Sequence, residues 1–233
     1  MTDLQLVSPL AGWVLPLTAV PDPVFAEGMM GPGVAIEPLG DTLHAPCDAT
    51  VLTVHAAGHA VTLAAGGVSL LMHVGVDTVA MAGRGFAPLV APGDRVRAGD
   101  ALIRFDLDAV VQAAPTAMTP VIVVEGAEGA SLTAIAADRA IAVGEPLMRI
   151  LAAGPAMTAD AAAGPALTRE AVVGLPHGLH ARPAARIAAA VRATGAEVTI
   201  HSGTQQASAT SPVALLSLGL AKDAPVTVQA RGA

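Results

Sequence analysis

The sequence predicts two domains joined by a linker: an all-β sandwich or barrel followed by an α+β open-faced sandwich. Short apolar segments separated by glycine and proline run through residues 1–152, a pattern typical of sandwiches and barrels. Residues 153–166 are rich in alanine, glycine and proline and carry a single charge, which is the composition of a linker. From residue 167 to residue 233 the pattern changes to the order β-α-β-β-α-β, which indicates the second fold.

The composition argues against two broad classes of protein. Although 53% of the residues are hydrophobic, no stretch offers the roughly 18 uninterrupted apolar residues of a spanning helix. The net charge is −7 and Lys222 is the single lysine, so the basic patch expected of a nucleic-acid-binding protein is absent from the sequence. The N-terminus lacks the pattern of a signal peptide, and Cys47 is the single cysteine. We therefore expect a cytoplasmic protein, in which Cys47 is a small core residue.

The strands expected in the first domain are short and lie between glycine- and proline-containing turns. They cover residues 34–36, 50–55, 60–63, 69–74, 101–105, 121–124 and 146–150. One short helix is predicted at residues 106–113, and either Asp106 or Asp108 is suited to cap it.

The second domain alternates strands with helices. Strands are expected at residues 169–173, 196–201, 205–209 and 225–230. A helix begins at residue 180 or 181 and ends at residue 194, because its apolar residues recur at helical spacing. A second, short helix at 213–218 follows Ser211 and Pro212. A sheet of this kind needs another full helix over its face, and the short helix at 213–218 covers little of it. The sequence reaches Ala233 without a further helical segment, so we expect the domain to lack its last helix.

A phosphate-binding pattern surrounds His180, at the start of the longer predicted helix. The string GLHARPAA contains His180, with Arg182 two residues later and Pro183 in the first turn. A helix N-terminus offers unpaired N–H groups and a favourable dipole end to an anion, and Arg182 can bind phosphate oxygens through its planar guanidinium. The alternative is that His180 merely caps the helix while Arg182 is a solvated charge. The whole string at a strand-to-helix junction favours phosphate binding over capping.

Residues 168–233 closely resemble HPr, the histidine phosphocarrier of the sugar phosphotransferase system. The resemblance rests on GLHARPAA and on the later segment ATSPVALLSLG. It implies that His180 carries phosphate on Nδ1 and that Arg182 stabilises its charge. Ser211 falls where some HPr proteins receive a regulatory phosphate, although we expect it to act as a helix N-cap.

A second pair of histidines, His59 and His73, lies in the first domain on neighbouring predicted strands. Adjacent antiparallel strands bring such side chains close together on one face. One histidine can then be the nucleophile while the other orients or stabilises the phosphoryl group. Two alternatives stay open: an ordinary strand role for either residue, or a metal site, because paired histidines suit zinc. His44, His55 and Asp77 are the available further ligands, and none is an obvious one.

A series of short segments around the two histidines forms a recognisable pattern: SPLAG, PVFA, MMGPGVAI, APCD, GHA, LMHVGVDTV, GRGF and FDL. With these segments, residues 6–152 resemble the glucose-family enzyme IIA component of the same phosphotransferase system. The resemblance implies that His73 is phosphorylated on Nε2 and that His59 is its partner. It also implies that Asp77 lies at the rim of the site and that Phe25 and Phe86 belong to, or lie near, an apolar docking surface.

One position departs from the enzyme IIA pattern. Relatives often carry a threonine two residues before the first histidine, whereas this chain has Ala57. An alanine methyl group cannot hydrogen-bond an imidazole, so the positioning of His59 or of the phosphoryl group has to rely on other groups.

Together, the resemblances imply a fused phosphotransferase that passes phosphate from enzyme I to His180, then to His73, then to a sugar-specific enzyme IIB. Enzyme IIB would serve a membrane permease that this chain contacts only peripherally. The chain would need no cofactor, since magnesium acts on enzyme I, and no metal, although His59 and His73 are possible zinc ligands with a partner. An enzyme I domain is expected to follow in a longer parent protein. The alternative is a regulatory module whose unphosphorylated enzyme IIA domain binds and controls other proteins.

Overall fold

A computed structural model describes residues 2–126, 131–134, 136–152 and 166–232. The contacts within the chain divide it into two units, residues 1–156 and 157–233. The linker predicted at 153–166 lies outside the described residues except for Ala166, so its limits stay a prediction. Within the described ranges, none of the helices is long and apolar enough to cross a membrane.

The first unit is built almost entirely from strands. Its strands are β1 (Thr2–Val7), β2 (Gly12–Pro16), β3 (Gly33–Pro38), β4 (Thr42–His44), β5 (Ala49–Val54), β6 (Ala60–Ala65), β7 (Val68–His73), β8 (Phe86–Pro88), β9 (Arg95–Val96), β10 (Ala101–Phe105), β11 (Thr119–Glu125), β12 (Ser131–Ala134), β13 (Arg139–Ile141) and β14 (Pro146–Ala152). Its helices are α1 (Pro23–Ala26) and α2 (Leu107–Ala113). Every segment predicted as a strand overlaps one of these strands, which confirms the all-β expectation.

Three antiparallel sheets share one core in this unit. Among the described residues the largest sheet has eight strands in the order β13-β2-β3-β11-β7-β6-β5-β9, and two smaller sheets have the orders β1-β14-β12 and β4-β10-β8. One hydrophobic cluster draws side chains from all three sheets, for example Leu6 from β1, Val14 from β2 and Leu102 from β10. This core is mainly aliphatic, as the scarcity of aromatic residues predicts.

The β6–β7 hairpin places the two histidines of the first domain. Gly66 and Gly67 connect the strands with φ of 57° and 84°, the left-handed conformations that two-residue hairpin turns require. The register pairs Ala60, and not His59, with His73. Regular cross-strand pairing is therefore not what brings the two imidazoles together, and the cause lies in the chain just outside the strands.

Both α-helices in the described part of the first unit begin at an aspartate cap. Asp106 accepts a hydrogen bond from the N–H of Ala109 at 3.0 Å, so Asp106 caps α2. Asp108 lies in the first turn of α2 instead, where a carboxylate interacts favourably with the helix dipole. Helix α1, which the sequence does not predict, starts at Asp22 in the same way.

The second unit has the predicted order β-α-β-β-α-β. Its elements are β15 (Leu167–Val172), α3 (Ala181–Thr194), β16 (Glu197–Ser202), β17 (Gln205–Ser208), α4 (Pro212–Ser217) and β18 (Pro225–Arg231). The strands form one antiparallel sheet in the order β15-β18-β16-β17. Ala184 of α3 and Leu215 of α4 share a core with Ile200 of β16, whereas every residue of β15 is exposed. The expectation that this domain lacks its last helix stays a prediction.

Candidate functional site

The site in the first unit centres on His73, the last residue of β7. The side chain is 6% exposed, and its Nδ1 lies 2.7 Å from the carbonyl oxygen of Gly75. A carbonyl oxygen can only accept, so we assign the ring proton to Nδ1 on the basis of this bond. In the neutral imidazole the lone pair then belongs to Nε2. The structure thus leaves Nε2 as the nitrogen able to act as a nucleophile or ligand.

The turn after β7 holds the carbonyl group that fixes the His73 ring. Gly75 has φ of 69°, and a Cβ at this position would lie 2.7 Å from Cγ2 of Thr78 and 3.1 Å from the carbonyl oxygen of Thr116. The hydroxyl of Thr78 donates to the carbonyl oxygen of Val74 at 2.8 Å and closes the turn. Glycine is therefore required at residue 75 for both conformational and steric reasons.

His59 lies directly against His73. Its side chain is 1% exposed, and the ring centroids are 4.6 Å apart at an interplanar angle of 65°. His59 comes one residue before β6, and Gly58 before it has φ of 70°. The N–H of Val74 donates to the carbonyl oxygen of His59 at 2.8 Å. The predicted proximity of the two histidines is confirmed, and the left-handed Gly58 with the turn after His73 gives the chain the freedom to achieve it.

Two phenylalanines flank the histidine pair. The ring of Phe25 lies 5.6 Å from that of His73, and the ring of Phe86 lies 6.1 Å from that of His59. Phe25 is buried and Phe86 is half-buried. Asp77 is exposed four residues after His73, with φ of 58°. The docking roles expected for these three residues stay predictions, and the two phenylalanine rings are apolar neighbours of the imidazoles.

A third imidazole reaches the pair. The ring of His55 lies 4.3 Å from that of His59, and the residue is half-buried. From the sequence, His55 is only a possible further metal ligand. Its contact with His59, four residues later, cannot be predicted until the turn between β5 and β6 is known. His59 is thus in ring contact with both His55 and His73.

Two further candidate residues of the first unit, His44 and Cys47, have structural surroundings. His44, at the end of β4, has Nδ1 3.2 Å from the carbonyl oxygen of Pro9. Burial, and secondarily the charge of Asp48, raises the pKa of the Cys47 thiol to about 11, which agrees with a core residue and not a nucleophile. In the part of the chain that the structure describes, no three His, Cys, Asp or Glu side chains are grouped as a metal ion would need. Zinc binding by His59 and His73 with a partner stays a prediction.

The site in the second unit lies at the start of α3. His180 is the N-cap residue in an extended conformation, and its carbonyl oxygen accepts from the N–H of Ala184 at 3.1 Å. Its side chain makes no capping hydrogen bond, so capping by the imidazole does not explain this residue. Arg182, half-buried, lies in the first turn of the same helix. The predicted placement of both residues at a helix N-terminus is confirmed, while their chemical roles stay predictions.

Gly178 brings the loop before α3 close to another segment of backbone. A Cβ at Gly178 would lie 2.2 Å from the carbonyl oxygen of Leu220, and the N–H of Leu179 donates to that same oxygen at 2.8 Å. The glycine therefore allows a close approach to Leu220, which fixes where the chain enters α3.

Ser211 begins the shorter helix of the second unit. Its hydroxyl oxygen accepts from the N–H of Ala214 at 2.9 Å, and Pro212 occupies the first helical position. The N-cap interpretation is therefore confirmed. Regulatory phosphorylation of Ser211 stays a prediction.

Two family models match the chain. The model for the phosphoenolpyruvate-dependent sugar phosphotransferase system, EIIA 1, matches residues 4–128, and the model for the PTS HPr component phosphorylation site matches residues 167–233. The glucose permease IIA from Mycoplasma capricolum has a similar structure, with a TM-score of 0.59, 30% identity, and coverage of 64% of this chain and 96% of that protein.

Curated relatives match the first unit. A mannose-specific EIIBCA component of Corynebacterium glutamicum is 47% identical over 138 residues, which are 59% of this chain and 20% of that relative. A glucose-specific EIIA component of Oceanobacillus iheyensis is 39% identical over 122 residues, which are 52% of this chain and 74% of that relative. The chain thus spans about a fifth of the length of the EIIBCA relative. The chain belongs to the EIIA 1 family of the phosphoenolpyruvate-dependent sugar phosphotransferase system, as a glucose-family enzyme IIA domain followed by an HPr domain.

Proposed function

We propose that this chain is a phosphotransferase that carries phosphate between proteins during sugar uptake. Phosphate passes from enzyme I to Nδ1 of His180, then to Nε2 of His73, and then to a sugar-specific enzyme IIB that serves a membrane permease. The observation that carries this proposal is the fixed ring of His73, whose Nδ1 is held 2.7 Å from the Gly75 carbonyl oxygen while His59 lies against it.

The transfer to His73 needs a neutral imidazole with a defined lone pair. Nε2 of His73 attacks the phosphorus on Nδ1 of His180, the N–P bond to His180 breaks, and its electron pair returns to that nitrogen. The hydrogen bond to Gly75 orients the ring before the reaction, which lowers the entropic part of the barrier. His59 is close enough to stabilise the phosphoryl oxygens by donating an N–H to them. Most of the catalysis in such a transfer is positioning and charge stabilisation.

The position of His180 suits a phosphorylated imidazole. The phosphoryl group carries negative charge, and the N-terminal end of the 14-residue helix α3 favours negative charge. Arg182, in the first turn, can pair with the phosphoryl oxygens. Neither step draws on a cofactor, and we propose that this chain requires none, with magnesium acting on enzyme I.

The partners follow from the same chemistry. The relatives named EIIBCA components support pairing with enzyme IIB and IIC parts, and the named sugars differ among mannose, glucose and β-glucoside. We infer that the permease selects the sugar while this chain supplies phosphate to it. A cytoplasmic location follows from that role. The alternative of a regulatory module that binds other proteins while unphosphorylated stays a prediction.

The relay is tested by labelling with enzyme I and labelled phosphoenolpyruvate. Acid-labile, base-stable phosphate is expected on both domains of the wild-type chain. The substitution His180→Ala should abolish labelling at both sites, because His180 is the entry point, whereas His73→Ala should leave His180 labelled. His44→Ala is the control, since His44 is half-buried outside the site. Label reaching His73 in the His180→Ala chain, with no other HPr present, contradicts the relay order.

A further inference from the structure

A row of three imidazoles lies beside the proposed acceptor nitrogen. The ring centroids of His55 and His59 are 4.3 Å apart, and those of His59 and His73 are 4.6 Å apart. His59 belongs to both contacts, so the rings of His55 and His73 both limit the movement of its ring. The proposed function uses His59 and His73 and leaves His55 without a role.

The backbone holds His55 firmly at the turn between β5 and β6. Its N–H donates to the carbonyl oxygen of Ala60 at 2.9 Å, and its carbonyl oxygen accepts from the N–H of Gly58 at 2.7 Å. The N–H of Ala57 approaches Nδ1 of His55 at 3.2 Å. An amide N–H can only donate, so Nδ1 of His55 is the acceptor and carries no proton. Three hydrogen bonds therefore set both the backbone and the ring of His55.

His59, in contrast, lies outside regular strand geometry. It precedes β6 and follows a left-handed glycine, so the cross-strand register does not set the direction of its side chain. The methyl group of Ala57 cannot hydrogen-bond an imidazole. His59 is in ring contact with His55, His73 and Phe86. The rings of His55 and His73 are each fixed by a hydrogen bond to an adjoining turn, and His73 is the proposed acceptor itself.

We propose that His55 is a positioning residue that holds the ring of His59 in place for phosphoryl transfer at His73. His55 acts through His59 and does not touch the phosphoryl group. The proposal rests on the proposed function, since His59 needs a defined orientation to stabilise the group on Nε2 of His73. It assigns the effect to the ring of His55, while Nδ1 of His55 serves to orient that ring.

Two substitutions separate the ring from the acceptor nitrogen. His55→Phe keeps an aromatic ring against His59 but removes the acceptor for Ala57. His55→Asn keeps an acceptor oxygen near the place of Nδ1 but removes the ring. His44→Phe is the matched control, because His44 is also half-buried and lies on a different strand pair. His55→Ser, a smaller acceptor, takes the place of His55→Asn if the latter does not fold.

The first measurement uses the full chain without phosphate. Nitrogen–proton NMR spectra of the imidazoles report the protonation and surroundings of the His59 ring. We expect His55→Asn to shift and broaden the His59 signals most. His55→Phe keeps the ring without the hydrogen bond that orients it, so it should disturb the signals less, and His44→Phe should leave them close to wild type. Unchanged His59 signals in His55→Asn would overturn the proposal. So would equal disturbance in both His55 variants, because the residue would then only close the turn.

The second measurement follows phosphate. Phosphorus NMR distinguishes the phosphate on Nδ1 of His180 from that on Nε2 of His73, so the rate of transfer between them can be followed in each chain. We expect His55→Asn to slow the transfer by about threefold to tenfold, the size of effect that a lost ring–ring contact carries. A wild-type rate in His55→Asn would overturn the proposal. If the wild-type chain receives no phosphate on His73, the proposed function fails, and the His59 spectra still decide whether His55 holds that ring.

Discussion

At the scale of single residues, two side chains show how the surroundings of a residue determine its reactivity. His73 is fixed by a carbonyl group only two residues away, and that carbonyl is available because Gly75 adopts a left-handed conformation. Cys47, by contrast, is surrounded by apolar groups, and burial raises the pKa of its thiol to about 11. A thiol with that pKa stays protonated near neutral pH, so the single cysteine is unsuited to nucleophilic chemistry.

We predict that Gly75→Ala impairs His73 and spares His180. An alanine would be strained at φ of 69°, and its Cβ would lie 2.7 Å from Cγ2 of Thr78, so the turn must shift and carry the carbonyl oxygen with it. Transfer to His73 should fall by about tenfold or more, because the orientation of the ring is lost. The measurement is the rate of label transfer from His180 to His73.

Gly67→Ala provides the matched control for this change. Gly67 also has a positive φ, of 84°, but a Cβ there meets nothing within 4 Å. It should cost stability without slowing transfer at His73. Equal slowing in both variants would show that backbone strain, and not the Gly75 carbonyl group, is responsible.

At the scale of elements, local capping groups set the starts of α2 and α4. Asp106 caps α2 and Ser211 caps α4, each through a side-chain oxygen that accepts an N–H three residues later. These ends can be predicted from sequence because the cap and its partner are near neighbours. Very short strands such as β8 and β9 cannot be predicted in this way. They have three and two residues, which is too few for a periodic pattern, and pairing with neighbouring strands defines them.

We predict that Ser211→Ala destabilises the second unit by about 1 kcal/mol, because one N–H of α4 loses its acceptor. Ser211→Asp keeps an acceptor oxygen and should be close to wild type. The helical circular dichroism signal comes mainly from the second unit through α3, so its denaturation curve measures the change.

Trp13, the single tryptophan, lies in the first unit, so its fluorescence serves as an internal control. Its unfolding transition should stay the same in both Ser211 variants. An unchanged circular dichroism curve for Ser211→Ala would contradict the capping argument.

At the scale of the whole molecule, the central feature is that the proposed donor and acceptor histidines belong to two units of one chain. His180 lies in the unit formed by residues 157–233 and His73 in the unit formed by residues 1–156. A tether raises the effective concentration of the two groups that it joins. If the proposed relay operates, we expect the fusion to favour transfer within the chain over transfer between chains.

We predict that transfer from His180 to His73 in the wild-type chain is independent of protein concentration. A mixture of His73→Ala chains as donors and His180→Ala chains as acceptors can transfer only between molecules, so its rate should rise in proportion to concentration. Labelling at two different protein concentrations, both in the micromolar range, tests both statements. A mixture that transfers as fast as the wild-type chain at the lower concentration would show that the tether contributes nothing.

The sequence by itself determined the order of the two folds, the position of α3 and the capped start of α4, and it indicated the candidate histidines, because each depends on a local pattern or a contiguous motif. Only the tertiary structure decided how the histidines of the first unit meet. The register pairs Ala60 with His73, yet the rings of His59 and His73 touch. The turn before β6 and the turn after β7 produce that contact, and the turn before β6 also brings His55 against His59. Such contacts depend on side-chain directions outside regular strands, which no period in the sequence encodes.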